Sequence, residues 1–222
     1  MTSFAPVLKK AAKRAGGGAA LEEMLPKPEP ARKIKGVPDD RYLSQMSLRI
    51  FQAGLKHSMV AAKWPAFEDV FHAFEPRRVR AMNDEDLEAL MGEARIIRHW
   101  GKIKSVRHNA AAMCGLADEF GGFGGWLAQW PETDIAGLWD DLKTRFKQLG
   151  GSSGPYFLRL VGKDTFILTP DVIRALNGLG VADGKISGKR DRAAVQEVFN
   201  GWMDETGRPL CQLSRILALS VG

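Results

Sequence analysis

The chain has 222 residues, 45% of them apolar, and its six Trp and eleven Phe are enough for a core that needs no covalent staples. Thirty-two Lys and Arg against 26 Asp and Glu leave a net charge of +6, which favours an anionic partner such as nucleic acid without requiring one. Cys114 and Cys211 form no CxxC pair, which excludes a disulfide scaffold and a four-cysteine zinc site, and no apolar run reaches the roughly 18 residues of a membrane span.

Residues 1–38 differ in composition from the rest. Three consecutive glycines at 16–18, prolines at 26, 28 and 30, and the basic run Arg32–Lys35 predict a flexible basic arm with at most a short helix near Leu21–Leu25. Its role is open between a solubilising tail and an arm that touches phosphates. From Asp39 to 222 the helical period dominates and a single large domain is expected. Asp39 and Asp40 can cap a helix running from Arg41 towards Val60. Phe67, Phe71 and Phe74 recur at helical spacing and read as core. Asn83–Asp86 places acids at a helix start, followed by an apolar stripe to Ala94. Ile103, Val106, Ala110, Met113 and Ala117 form the stripe of another helix. Gly121–Gly125 reads as a break, and a further helix is expected over about 134–147. No stretch alternates as a strand does, so the fold class is all-α.

Two segments carry chemistry. The first, Leu149-Gly150-Gly151-Ser152-Ser153-Gly154-Pro155-Tyr156-Phe157, joins two helical patterns. Tight glycines let a backbone turn and approach another molecule, and the following helix start presents N–H groups suited to a phosphate. It is followed by Phe166-Ile167-Leu168-Thr169-Pro170-Asp171 and a helical stripe, Val172–Leu176. At that helix start Thr169 can cap, Pro170 fits the first turn and Asp171 complements the dipole. The second segment is a series of blocks: Phe51-Gln52-Ala53-Gly54-Leu55, then Phe67 to Pro76, then Ile96-Ile97-Arg98-His99-Trp100-Gly101-Lys102-Ile103 with Asn109-Ala110. Arg98, Lys102 and Lys104 surround a helix entry, where they can steer phosphates or form a solvated face.

The three ordered blocks resemble QAGL, F-x-x-F-x-x-F-[DE]-P and IIR-x-x-[GK]KI-x(5)-NA of the 3-methyladenine DNA glycosylase I family. The hairpin and its sequel resemble, more loosely, the helix-hairpin-helix base-excision glycosylases. The close likeness covers residues 45–112 and the looser one extends to about 180. It implies a helix-hairpin-helix glycosylase fold of two packed helical lobes and hydrolysis of the N-glycosidic bond of an alkylated or otherwise damaged base. The partner implied is duplex DNA carrying that base. Gly151, Ser152, Ser153, Gly154, Tyr156, Arg98 and Lys102 are then the candidate DNA contacts. Gln45, Arg49, Gln52, His57, Trp64 and Trp100 are the candidate base pocket, and Asp171 is the candidate catalytic carboxylate. The helix phase places the family's Asp at Thr169, so the register between Thr169 and Asp171 stays open.

The chain departs from the family at instructive places. The family's pocket carries a Glu three residues before the Gln and a Trp after QAGLS; here those positions are Arg49 and His57. Arg49 would repel a cationic methylated adenine, whereas a neutral or electron-rich base would accept its hydrogen bonds. The family's terminal Cys/His zinc clip has no counterpart, so no metal and no other cofactor is expected. A cytoplasmic monomer that does not enter a membrane is expected. The readings that compete are a non-catalytic DNA-structure binder on the same scaffold and a glycosidic hydrolase acting on free nucleosides or another small molecule.

Overall fold

The computed structural model describes residues 2–221, and among these there is helix and turn but no strand. The helices are, in chain order, α1 (Ala5–Ala15), α2 (Gly18–Glu23), α3 (Ala31–Gly36), α4 (Asp39–Gln52), α5 (His57–Val70), α6 (Pro76–Ala81) and α7 (Asp84–Ala89). They continue with α8 (Trp100–Phe120), α9 (Phe123–Gln129), α10 (Ile135–Arg145), α11 (Ser153–Leu160), α12 (Pro170–Gly178), α13 (Lys189–Thr206) and α14 (Leu210–Ser220). The chain divides into two compact units. The central unit holds Pro30–Gln129 and Asp140–Val161; the terminal unit holds the stretch ending at Glu29, Trp130–Trp139 and the stretch from Gly162 onward.

In the central unit the aromatic residues make the core. Phe51 packs on Phe67 with ring centroids 4.5 Å apart, and Trp64 stacks on both Phe67 and Phe74 at 4.8 and 5.4 Å. Phe67, Phe71 and Phe74 are fully buried as expected, although α5 ends at Val70 and only Phe67 lies in it. After α5, however, His72, Ala73 and Phe74 take positive φ values of 54°, 53° and 58°. Such a run is strained at about 1–3 kcal/mol per residue. The Phe71–Phe74 stack holds it in place, as does the Arg41 guanidinium, which donates to Ala73 O at 2.6 Å. The long helix expected over 41–60 is two helices. Gly54 has φ +79°, open to glycine and costly for other residues, and it ends α4 and re-aims the chain into α5. The expected break at 121–125 is confined to Gly121 and Gly122. The Asp39 carboxylate accepts from Phe123 N at 2.8 Å, and α9 starts there. The capping box on α7 is present, with Asn83 and Asp86 bonded reciprocally, but the helix stops at Ala89 rather than reaching Ala94. There Glu93 folds back on Arg95 N at 2.9 Å and makes a turn.

The terminal unit corrects the expectation of a flexible arm over 1–38. Phe4 is buried just before α1, Val7 and Ala11 on it, Leu21 on α2 and Leu25 just beyond α2. The Phe4 ring lies 5.0 Å from Trp202, whose Nε1 donates to Thr2 O at 2.8 Å. The Glu205 carboxylate accepts from Phe4 N and from Ser3 Oγ. The prolines keep 25–30 out of a helix, as their chemistry requires, but this stretch is tied down. Pro26 O accepts from Gln212 Nε2 at 3.2 Å, and Glu29 N donates to Gly162 O at 2.8 Å. Residues 30–36 belong to the central unit, where Tyr42 donates to Ile34 O at 2.6 Å. The boundary expected at residue 38 is therefore not a boundary of the fold. At the other end, the buried Asp164 carboxylate accepts from Leu210 N and Cys211 N, both at 2.8 Å, and caps α14.

Candidate functional site

The hairpin lies in the central unit, between α10 and α11. Leu149 is buried, and Gly151 turns the backbone with φ +60°. Ser152 precedes α11 without a side-chain cap to it, which leaves its hydroxyl uncommitted to the helix start. Gly154 is buried at the start of α11, and Tyr156, two residues on, is 39% exposed.

That exposure places Tyr156 on the wall of an open cleft of about 530 Å³, lined also by Arg49, Gln52, Ala53, Gly54, Leu55, Lys56 and His57. The end of α4 brings Arg49 and Gln52, the turn at Gly54 brings Lys56 and His57, and α11 brings the tyrosine. The Arg49 guanidinium lies over the Tyr156 ring, 4.7 Å from its centroid, a cation–π contact. Its Nε is buried without a hydrogen-bond partner. Burial lowers the Arg49 guanidinium from its ordinary value, an effect that the neighbouring Tyr156 opposes. The cleft carries donors on every side and no Asp or Glu.

Three of the six candidate pocket residues, Arg49, Gln52 and His57, meet in this cleft. Gln45 is half-buried on α4 and outside its lining. Trp64 belongs to the aromatic stack, with Nε1 donating to Ser44 Oγ at 3.1 Å, so its face is already covered. Trp100 starts α8 and carries the Lys104 ammonium 4.9 Å from its ring. Among the candidate DNA contacts, Arg98 is exposed. Lys102 is not a surface phosphate contact: it is 8% exposed, and its ammonium donates to Phe51 O at 3.3 Å and Ala53 O at 2.8 Å. A helix that ends in a turn leaves carbonyls without partners, and this lysine supplies the missing donor. Burial and the nearby Arg49 charge lower the Lys102 ammonium from its ordinary value. Lys56, and Tyr156 as a pocket wall, were not anticipated as cleft residues. The Ala53-Gly54 pair inside a helical pattern was the available sign that the chain would turn there.

Asp171 lies in the terminal unit, in the first turn of α12. Thr169 is the cap, its Oγ1 accepting from Val172 N at 3.2 Å, as expected. The Asp171 side chain is 51% exposed and lies 3.4 Å from the Arg174 guanidinium. The zinc clip implied by the resemblance does not fit this chain. Both cysteines are buried, and among the described residues no three His, Cys, Asp or Glu side chains are gathered as a metal ion requires. Among the described residues no helix is long and apolar enough to cross a membrane.

Comparison with known proteins places these features in context. The profile of the methyladenine glycosylase family matches residues 35–148. DNA-3-methyladenine glycosylase 1 of Escherichia coli K12 is 44% identical over 80 residues, 35% of this chain and 43% of that protein. The match thus spans less than half the length of that relative. A crystal structure of 3-methyladenine DNA glycosylase I superposes with TM-score 0.52 and 27% identity, over 62% of this chain and 82% of that one. The 8-oxoguanine glycosylase/lyase of Methanocaldococcus jannaschii, crystallised with DNA containing 8-oxoguanine, superposes over 95% of this chain and 94% of its own. Its TM-score is 0.54 and its identity 13%, a likeness of fold alone. The fold is thus the all-α fold of the helix-hairpin-helix glycosylases, as expected.

Proposed function

The chain belongs to the methyladenine glycosylase family, and from that premise we propose that it is a DNA N-glycosylase of base-excision repair with a lesion preference different from the family's. The observation that carries this reading is the cleft. The family match covers all of its lining residues except Tyr156, and the hairpin helix supplies that one. An open pocket of about 530 Å³ has room for one base flipped from a duplex, with Tyr156 on its wall and Gln52, Lys56 and His57 as hydrogen-bonding groups. Hydrolysis of the glycosidic bond then develops positive charge on the sugar, which a carboxylate stabilises. We assign that role to Asp171, on its half-exposed side chain and on the fact that Thr169 already caps its helix. Duplex DNA is the proposed partner of a monomeric, cytoplasmic protein, with Gly151–Gly154 and the exposed Arg98 against the phosphates.

The changed preference rests on Arg49. A guanidinium in the cleft disfavours a cationic base such as 3-methyladenine and favours one that accepts hydrogen bonds. The test is incubation of the protein with alkylated and with deaminated duplex DNA, followed by mass spectrometry of the released bases. Release of a damaged base is expected. Tight duplex binding without release of any base would refute the enzyme and leave a non-catalytic binder.

A further inference from the structure

The electrostatics of the cleft narrow its substrate further. Its side-chain hydrogen-bonding groups are Arg49, Gln52, Lys56, His57 and Tyr156, with no carboxylate among them. Among the described residues no acid pairs with Arg49; its cation rests on the Tyr156 ring and its Nε is buried with no partner. The backbone acceptors are reduced as well. The carbonyls of Phe51 and Ala53 at the end of α4 are taken by the Lys102 ammonium. A base bearing an exocyclic amine finds few acceptors here, whereas one with adjacent acceptors meets a free guanidinium fork. Arginine pairs in this way, bidentately, with O6 and N7 of a 6-oxopurine.

The bond-breaking step points the same way. Water oxygen bonds to C1′ as the C1′–N9 bond breaks, and the electron pair of that bond leaves with the purine. One proton of the water ends on the base, giving the free base and an abasic deoxyribose. A cationic methylated base leaves as a neutral molecule and needs no cation beside it. An uncharged base leaves with negative charge spread over the ring and O6, and a desolvated cation at O6 stabilises that charge in the transition state.

We propose that the cleft selects deaminated purines, hypoxanthine and xanthine, through the O6 and N7 acceptors that face Arg49, and that Arg49 stabilises the departing base. The proposal rests on the glycosylase reading above. Guanine shares O6 and N7 but adds a 2-amino donor that this donor-lined cleft leaves unpaired, and its pair with cytosine resists flipping.

The test uses duplex oligonucleotides carrying a single hypoxanthine or xanthine, the unmodified guanine duplex, and a methylated duplex carrying 3-methyladenine. Base release is followed in single turnover by mass spectrometry. Wild-type protein is expected to release both deaminated purines at least about tenfold faster than 3-methyladenine, with guanine untouched. Arg49→Gln should lose about 100-fold of that rate. Arg49→Lys, which keeps the charge without the fork, should fall between, and thermal melting confirms that both variants fold. Release of 3-methyladenine in preference to the deaminated purines overturns the proposal and leaves the glycosylase reading standing. Undiminished release by Arg49→Gln also overturns it. No release from any duplex overturns the glycosylase reading and the leaving-group role together. Calorimetric titration with free hypoxanthine and free adenine then tests selectivity alone, and equal affinities overturn that too.

Discussion

Asp171→Asn separates the proposed catalytic role from helix capping, because the cap of α12 is a different residue. The cap of α12 is Thr169, whose Oγ1 accepts from Val172 N at 3.2 Å, so the substitution leaves the cap intact. What Asp171 gives the fold is an ion pair at 3.4 Å with Arg174 and a favourable charge near the helix dipole. The two side chains are 51% and 63% exposed, so solvent screens the pair to a few tenths of a kcal/mol. The dipole contributes on the order of 0.5 kcal/mol in the first turn. The total is at most about 1 kcal/mol, which for a chain of this size lowers the melting temperature by about 2–4 °C. A carboxylate that stabilises the developing sugar cation is worth far more to the rate. Its loss is expected to cost about 100-fold or more in single-turnover base release, which corresponds to about 2.7 kcal/mol of transition-state stabilisation. The assay is release of whichever lesion base the wild-type protein removes, with protein in excess over a labelled duplex. Affinity for the duplex is measured in parallel and should be unchanged or slightly tighter, since a negative charge is removed. Undiminished release by a folded Asp171→Asn protein would refute the catalytic assignment.

Other expected outcomes follow from single interactions. Asp164→Ala removes a buried carboxylate that accepts from Leu210 N and Cys211 N, both at 2.8 Å, and leaves two donors at the start of α14 unpaired. It should cost about 3–5 kcal/mol in denaturant unfolding, and a loss below about 1 kcal/mol would contradict the capping role. The Glu205 carboxyl is held below its ordinary value of 4.5 by the Ser3 hydroxyl and Phe4 N. A carboxyl with a lowered folded pKa contributes stability that is present above the unfolded value and lost as pH falls through the folded one. Glu205→Gln should therefore lose less stability than the wild type between pH 4.5 and more acidic solution, and parallel acid-melting curves would count against the contact. Duplex binding should weaken steeply with salt. Arg98→Ala should reduce the slope of log affinity against log salt by about 1, whereas Lys102→Met should leave the slope unchanged because its ammonium is already engaged. Equal slope changes in the two variants would return Lys102 to the phosphate contacts.

The sequence by itself determined what depends on neighbours along the chain. The capping box at Asn83–Asp86 and the Thr169 cap need only residues within one helical turn of each other, and both are present. The burial of Phe67, Phe71 and Phe74 follows from their bulk, and the all-α class from a helical period that no alternation interrupts. The blocks around Gln52 and Arg98 carried the family, and with it Arg49, Gln52 and His57 as pocket candidates, because a shared ancestry preserves order and spacing. Tertiary structure decided what depends on partners far away in sequence. The prolines at 26, 28 and 30 did exclude helix, yet the segment is held by Gln212 and Gly162, contacts that no local rule contains. Phe4 is core because Trp202 and Glu205 lie at the far end of the chain. Lys102, a basic residue on a helix entry, could be read as a phosphate contact until the fold set it beneath the carbonyls of Phe51 and Ala53. Tyr156 became the partner of Arg49 for the same reason. A cation's role is set by the nearest acceptor or ring in space, and along the chain these two residues are more than a hundred positions apart.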